Sequence, residues 1–413
     1  MAQHRRRHRT PSHRAAMAAG AVIGLVLGGA LIAAAAVPLA SDAPSLRLRL
    51  VLSSATGPTP KVPFPSQGES AVTIPTFGFE AETPNQHAQP IASLTKLMTA
   101  YVTLHQLPLG PNGSGPSIQV SSADMVVYRG DVRTNQSNAK VAEGEVLTER
   151  QLLEGLLVPS ANNFAVLLAE MVAGSESAMV TDMNAVALKL GLHSTTYADV
   201  SGYDPATQSS AIDQLHLAEL LMRDPTFARI VRLHSVWLPV AGIVLSYTPF
   251  LTQRGVVGVK SGYTSEAGAC DVMAYDATVG LHEVQVLSVV LGQFSEISGW
   301  TNLMAAGHAA FVLATGSVEH LRAWNLVTAH REVGTIGWGS HTVPVLASST
   351  LNVPVFSSVD ASARLREEPW PASRVRAGRT VATVFVTSGA YREVTTLVAG
   401  ATLTRASLWQ RLR

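Results

Sequence analysis

Residues 90–104 read PIASLTKLMTAYVTL. Leu94, Leu97, Met98, Tyr101 and Val102 recur at helical spacing, the stripe of an amphipathic helix. Ser93 and Lys96 stand three residues apart at its head, so hydroxyl and amine share one face, one turn apart. Both fall at the edge of the stripe to be buried. The first turn of a helix offers free N–H groups and the positive end of the helix dipole, which favour a developing anion near Ser93. A serine hydroxyl is a weak nucleophile until a base sits beside it. A partly desolvated lysine near other cations has a depressed pKa and can be that base. The spacing alone also describes a capped helix with a solvated lysine. It recurs at Ser137-Asn138-Ala139-Lys140, but there in a polar stretch with no apolar stripe beneath it.

Two further short stretches carry chemistry. Ser160-Ala161-Asn162 follows Pro159, between two apolar helical runs. Small polar residues at such a junction cap the next helix. Held between packed helices, they can also relay a proton and bind a substrate amide. Lys260-Ser261-Gly262 ends the β-branched run Val256–Val259 and continues into Tyr263. An edge strand there can add an extended peptide to the sheet. Lys260 would meet a substrate carboxylate, Ser261 would donate a hydroxyl, and Gly262 would leave room for close approach. The bland alternative is an edge strand with a protective lysine. A phosphate loop fails because the residue before Lys260 is Val259, not glycine.

The chain around these stretches has 413 residues, 47% hydrophobic and only 14% charged, enough apolar material for a core and for two or three domains. That excludes a disordered or coiled-coil protein. Lys+Arg 30 against Asp+Glu 29 argues against a nucleic-acid binder. The single Cys270 excludes an internal disulfide or a multi-thiolate metal site, and we expect it to be a small buried strand residue. The 13 histidines show no paired metal-ligand spacing outside the arginine-rich head.

The domain plan follows from composition. Residues 1–14 form a basic head with five arginines and no acid. Residues 15–40 are uncharged and longer than the roughly 20 residues that span a bilayer. They are expected to be a transmembrane anchor that leaves the remainder extracytoplasmic, with a cleaved signal peptide and secretion as the alternative. Residues 41–70, rich in Pro, Ser and Gly, are expected to be a linker. Residues 71–318 read as a catalytic domain: a polar loop region to about Glu145, helices to about Arg232, strands to Leu291, and a closing helix over Trp300–Thr315. Residues 319–413 read as a β-rich C-terminal domain, with strands at Thr342–Leu346, Asn352–Phe356, Thr380–Val386 and Glu393–Val398.

The order Ser-x-x-Lys, Ser-x-Asn, Lys-Ser-Gly is that of the penicillin-binding and β-lactamase serine enzymes. PIASLTKLMTAYVTL, VAEGEVLTERQLLEGLLVPSANNFAVLLAE (141–170) and GVVGVKSGYTSEAGACDVMAY (255–275) closely resemble D-alanyl-D-alanine carboxypeptidases, the low-molecular-mass penicillin-binding proteins. LAELLMRDPTFARIV (217–231) is similar to the same family, and RAGRTVATVFVTSG (376–389) resembles its C-terminal β-domain more faintly. The resemblance covers roughly residues 71–316 and implies an α+β fold of the β-lactamase/DD-peptidase type. In that fold an antiparallel sheet would be flanked by helices and a helical lobe, followed by a small all-β domain.

The resemblance also implies a reaction: removal of the terminal D-alanine from a peptidoglycan stem pentapeptide through an acyl-enzyme on Ser93, with β-lactams as inhibitors. Lys96 would accept the Ser93 proton, Ser160 would pass a proton to the leaving amine, and Asn162 would hold the substrate amide and support Lys96. Lys260 and Ser261 would position the terminal carboxylate. The N–H groups of Ser93 and Tyr263 would form the oxyanion hole. No metal or organic cofactor is implied. Ser261 stands where the family usually has threonine, the Asn-rich segment expected before it is missing from 247–254, and 71–79 lacks the usual glycine hairpin. The alternatives are a β-lactamase of the same fold and a non-catalytic wall-binding module. A Glu-x-x-x-Asn deacylation loop is absent after Asn162.

Overall fold

The computed structural model describes residues 44–50, 52–54, 60–295, 301–370 and 373–405. The expected head and anchor, residues 1–40, lie outside the described residues. Among the described residues no single helix is long and apolar enough to cross a membrane.

The centre is a five-stranded antiparallel sheet. It is built from β1 (Glu69–Ile74), β2 (Phe79–Glu82), β3 (Val256–Thr264), β4 (Gly268–Val279) and β5 (His282–Gln293) in the order β3-β4-β5-β1-β2. Side chains alternate across a strand, and both faces of this sheet are covered. On β5, Leu287, Val289 and Leu291 face the helical lobe, whereas Val286 and Val290 face α8 (Asn302–Val318). This explains why β1 is buried at every position. The buried Ser288 hydroxyl on the α8 side donates to the Ala310 carbonyl at 2.9 Å. The edge position of β3 agrees with the expected edge strand.

The lobe comprises α1 (Thr95–Gln106), α2 (Ser122–Arg133), α3 (Glu149–Leu157), α4 (Asn162–Ala173), α5 (Glu176–Leu190), α6 (Ala211–Met222) and α7 (Pro225–Ile230). The α1 stripe, with Leu94, Leu97, Met98 and Val102, is buried in one core with Phe164, Leu168 and Leu215. Helix α2 lies in the region expected to be loop. It has a capping box at Ser121 and Asp124 but leaves Val126 and Val132 exposed, so its apolar spacing carries little signal.

Beyond α8 the chain is strand-rich. A seven-stranded sheet runs Ser45–Leu48, Glu332–Trp338, His341–Ala347, Tyr391–Ala399, Thr380–Ser388, Ala361–Glu367, Ser53–Ser54. This corrects the expectation of a plain linker over 41–70. Ser45–Leu48 and Ser53–Ser54 form the two outer strands of the sheet, paired with Gly334–Gly337 and with 361–362. The alternating Leu46 and Leu48, together with Leu50, pack against the core around Ile336, Val384 and Leu397, which outweighs the proline- and serine-rich composition around them. Strands Leu321–Val327, Glu332–Trp338 and Ala361–Glu367 were not expected from sequence. Asn325, Arg364 and Arg366 break their apolar pattern.

Side chains from beyond α8, among them Leu321 and Phe356, join the core of the central sheet. Phe356 is fully buried in the core between the central sheet and α8, 4.8 Å centroid to centroid from Phe79 and 5.7 Å from Phe77. Truncating a buried phenylalanine costs about 3–5 kcal/mol. Phe356→Ala is therefore expected to lower the chemical-denaturation stability of the full chain by about that amount; a loss under about 1 kcal/mol would show that the contact is dispensable.

Candidate active site

Ser93 sits in a 3-10 turn, Ala92–Leu94, directly ahead of α1. Two glycines grip this turn. A Cβ on Gly262 would stand 2.5 Å from the Ser93 nitrogen, and one on Gly202, whose φ is +82°, would stand 1.8 Å from the Ala92 carbonyl oxygen. Strand β3 and the loop after α5 can therefore approach the serine only as bare backbone.

Lys96 is fully buried. Its Nζ donates to Ser93 Oγ at 2.8 Å, to Asn162 Oδ1 at 2.6 Å and to the Ser201 carbonyl at 2.9 Å. Three acceptors match the three hydrogens of an ammonium. When Lys96 is neutral, Asn162 and Ser201 can hold its two remaining hydrogens, leaving the lone pair aimed at the Ser93 hydroxyl. Burial, and then the nearby Lys260 charge, hold the Lys96 pKa well below the ordinary lysine value; Asp199 and Asp131 oppose them.

Asn162 opens α4, whose preceding residue Ala161 gives no side-chain cap. The polar loop after α2 compensates. The Asn162 backbone N–H donates to the Ser137 carbonyl at 2.8 Å, and Asn162 Nδ2 donates to Gln136 Oε1 at 2.7 Å. The second Ser-x-x-Lys spacing, at Ser137–Lys140, is thus a brace for α4. Ser160 is 3% exposed, lines the cleft and has a φ of +62°, a conformation non-glycine residues rarely adopt.

Lys260 is 1% exposed, so the reading of a solvated edge-strand lysine fails. Its Nζ donates to the Ser261 carbonyl at 2.6 Å. Burial lowers its pKa to about 7, opposed by Asp271. Asp271 stands across the ladder from Ser261, fully buried, and among the described residues neither carboxyl oxygen has a hydrogen-bond partner. Burial holds its carboxyl well above the usual range, opposed by Lys260. The Ser261 hydroxyl donates to the Tyr247 carbonyl at 3.0 Å. Cys270 is fully buried and its thiol is pushed up to about 12 by burial, in keeping with an inert strand residue.

Ser93, Ser160, Asn162, Ser261, Gly262 and Tyr263 line a single cleft of about 680 Å³. Lys96 and Lys260 lie buried beneath it, close enough for the Lys260 charge to depress Lys96. All eight residues singled out in the sequence therefore belong to one site. Sequence reasoning missed the Ser201 and Tyr247 carbonyls and the Gln136 side chain. Backbone acceptors have no residue signature, and Gln136 lies in a polar loop outside the three motifs. Among the described residues no cluster of His, Cys, Asp or Glu could hold a metal ion.

A three-residue hydroxyl–amine–amide junction over a buried second lysine suits acyl transfer from a carboxylate-bearing peptide. The family profile described as D-alanyl-D-alanine carboxypeptidase matches residues 80–295. The D-alanyl-D-alanine carboxypeptidase DacF of Bacillus subtilis is 27% identical over 50% of this chain and 52% of its own length. The D-alanyl-D-alanine carboxypeptidase DacB2 of Mycobacterium tuberculosis is 31% identical over 44% of this chain and 60% of its own. The chain thus spans between about half and two thirds of the length of these curated relatives. The fold is that of penicillin binding protein 5 from Haemophilus influenzae, with a TM-score of 0.55, 19% identity, and coverage of 84% of this chain and 99% of that one. The profile match extends from β2 to the end of β5 and includes all three motifs, and on it the chain belongs to the D-alanyl-D-alanine carboxypeptidase family.

Proposed function

We propose that this chain is a serine D-alanyl-D-alanine carboxypeptidase that removes the terminal D-alanine from peptidoglycan stem pentapeptides through an acyl-enzyme on Ser93. The observation that carries the reading is the Ser93–Lys96 contact, with Asn162 and Ser201 holding the other two hydrogens of the lysine. Neutral Lys96 takes the Ser93 proton as Oγ attacks the penultimate carbonyl. The oxyanion falls to the backbone N–H groups of Ser93 and Tyr263, each donor worth on the order of 10²–10³ in rate. Ser160 passes a proton to the departing D-alanine amine. Lys260 supplies positive charge for the terminal carboxylate, and the Ser261 hydroxyl turns from the Tyr247 carbonyl to donate to it. Asn162 holds the substrate amide. Water then hydrolyses the acyl-enzyme and restores Ser93.

β-Lactams present the same carbonyl and carboxylate and would acylate Ser93. The uncharged run 15–40 behind five arginines supports a membrane-anchored, extracytoplasmic placement, where this substrate occurs.

Purified protein is expected to release D-alanine from a peptide ending in D-Ala-D-Ala and to be labelled by penicillin at Ser93. Ser93→Ala is expected to abolish the label and cut release by on the order of 10⁴–10⁶. Full labelling of that variant, found by mass spectrometry, would remove Ser93 from its role. Labelling of the wild type without release would identify a binding module, and rapid β-lactam turnover without peptide cleavage would identify a β-lactamase.

The pH dependence has a definite sign. Lys96 must be neutral to act, so acylation rises as it loses its proton on the acid side of the profile. Lys260 lowers the Lys96 pKa. Removing that charge in Lys260→Gln is expected to move the acid limb of the acylation profile to higher pH. An unmoved limb would rule out Lys96 as the titrating base.

A further inference from the structure

The loop between α5 and α6 carries a carboxylate that none of the three motifs contains. Asp199 Oδ2 accepts the backbone N–H groups of Ser201, Gly202 and Tyr203 at 3.3, 2.8 and 2.9 Å, and the Ser201 hydroxyl at 2.8 Å. Its Oδ1 accepts the Thr207 hydroxyl at 2.6 Å. Thr207 Oγ1 in turn accepts the N–H groups of Ala198 and Asp199 at 2.9 and 3.1 Å. One side chain therefore closes the whole segment 198–207 upon itself.

The residues it grips are those that touch the nucleophile and its base. The Ser201 carbonyl holds Lys96 Nζ at 2.9 Å. Gly202 lies so close to the serine turn that a Cβ there would stand 1.8 Å from the Ala92 oxygen. Tyr203 forms cleft wall. Asp199 itself makes no contact with Ser93 or Lys96 among its hydrogen bonds, yet its charge acts on Lys96 with the sign opposite to that of Lys260.

On the reading of Lys96 as base, we propose that Asp199 is a positioning residue: it fixes the Ser201 carbonyl on Lys96 and the Gly202 backbone on the serine turn, and sets a negative charge beside the base. Charged groups from different elements act on the base. Lys260 comes from β3, Asp131 from α2 and Asp199 from the loop, and Glu176 of α5 faces Asp199.

The test is the pH profile of acylation by a fluorescent penicillin, measured on the full chain for wild type, Asp199→Asn and Asp199→Ala. The asparagine retains an oxygen for the three N–H groups but loses the charge. Without the anion the ammonium form of Lys96 is less favoured. Both variants are therefore expected to move the acid limb to lower pH, opposite to Lys260→Gln. Asp199→Asn is expected to lose about tenfold in acylation at its optimum and Asp199→Ala about a hundredfold or more, since alanine also frees the loop. If the alanine variant does not fold, the asparagine variant carries the test. Uniform loss with an unmoved limb would reduce Asp199 to a structural residue and overturn the proposal, as would wild-type rates in both variants. An unlabelled wild type would instead overturn the reading of Ser93 itself.

Discussion

Two lysine ammonium groups are removed from water within electrostatic reach of one another, and the site is organised around making that tolerable. Burying an isolated charge costs far more than a fold can spare, so such groups neutralise or are surrounded by acceptors and counter-charges. Here both responses occur. Burial pushes both lysines toward the neutral form, while carbonyls from the loop and the strand and an amide from α4 take their hydrogens. The same arrangement that makes the lysines costly lowers the pH at which Lys96 can give up its proton, which is what a general base requires.

Meeting that demand requires three segments distant in the chain to approach within hydrogen-bond range, and the backbone is bent to allow it. Ala92 and Ser160, both non-glycine, have φ values of 47° and 62°. Conformations of this kind cost on the order of 1–3 kcal/mol each and persist only where surrounding structure over-determines them. The surroundings are specific: Gly202 and Gly262 clamp the turn at Ala92, and the Ser160 turn is held by the Ala161 N–H on the Gly155 carbonyl and the Tyr247 N–H on the Val158 carbonyl, at 3.0 and 3.1 Å. The central sheet supplies rigidity through β3, and α1 supplies direction, because its buried stripe fixes how Lys96 enters the interior.

The legible part of this design was the part written in side chains. Ser93, Lys96, Ser160, Asn162 and Lys260 announce themselves by residue type and spacing, and the α1 stripe and the β-branched run before Lys260 place them on a helix and a strand. The illegible part is written in backbone and context. The Ser201 and Tyr247 carbonyls have no residue signature, and Asp199 looks in sequence like any loop aspartate until its donors are counted in space. Helix α2 was hidden because exposed Val126 and Val132 blur its periodicity. The outer strands at Ser45–Leu48 and Ser53–Ser54 were hidden by neighbouring prolines and serines, although Leu46 and Leu48 alternate as a half-buried strand should.

Those outer strands have a consequence for how the molecule is made. Ser45–Leu48 pairs with Gly334–Gly337, about 290 residues further along the chain, and Ser53–Ser54 pairs with the strand that begins at Ala361. Contacts of such sequence separation form late and slowly, because the intervening loop must close before they contribute anything. During synthesis the early strands emerge with no partner and must wait, exposed, through production of the whole catalytic region. Once seated, they form the two margins of the seven-stranded sheet. Closure of this sheet thus requires strands spread from Ser45 to Ala399.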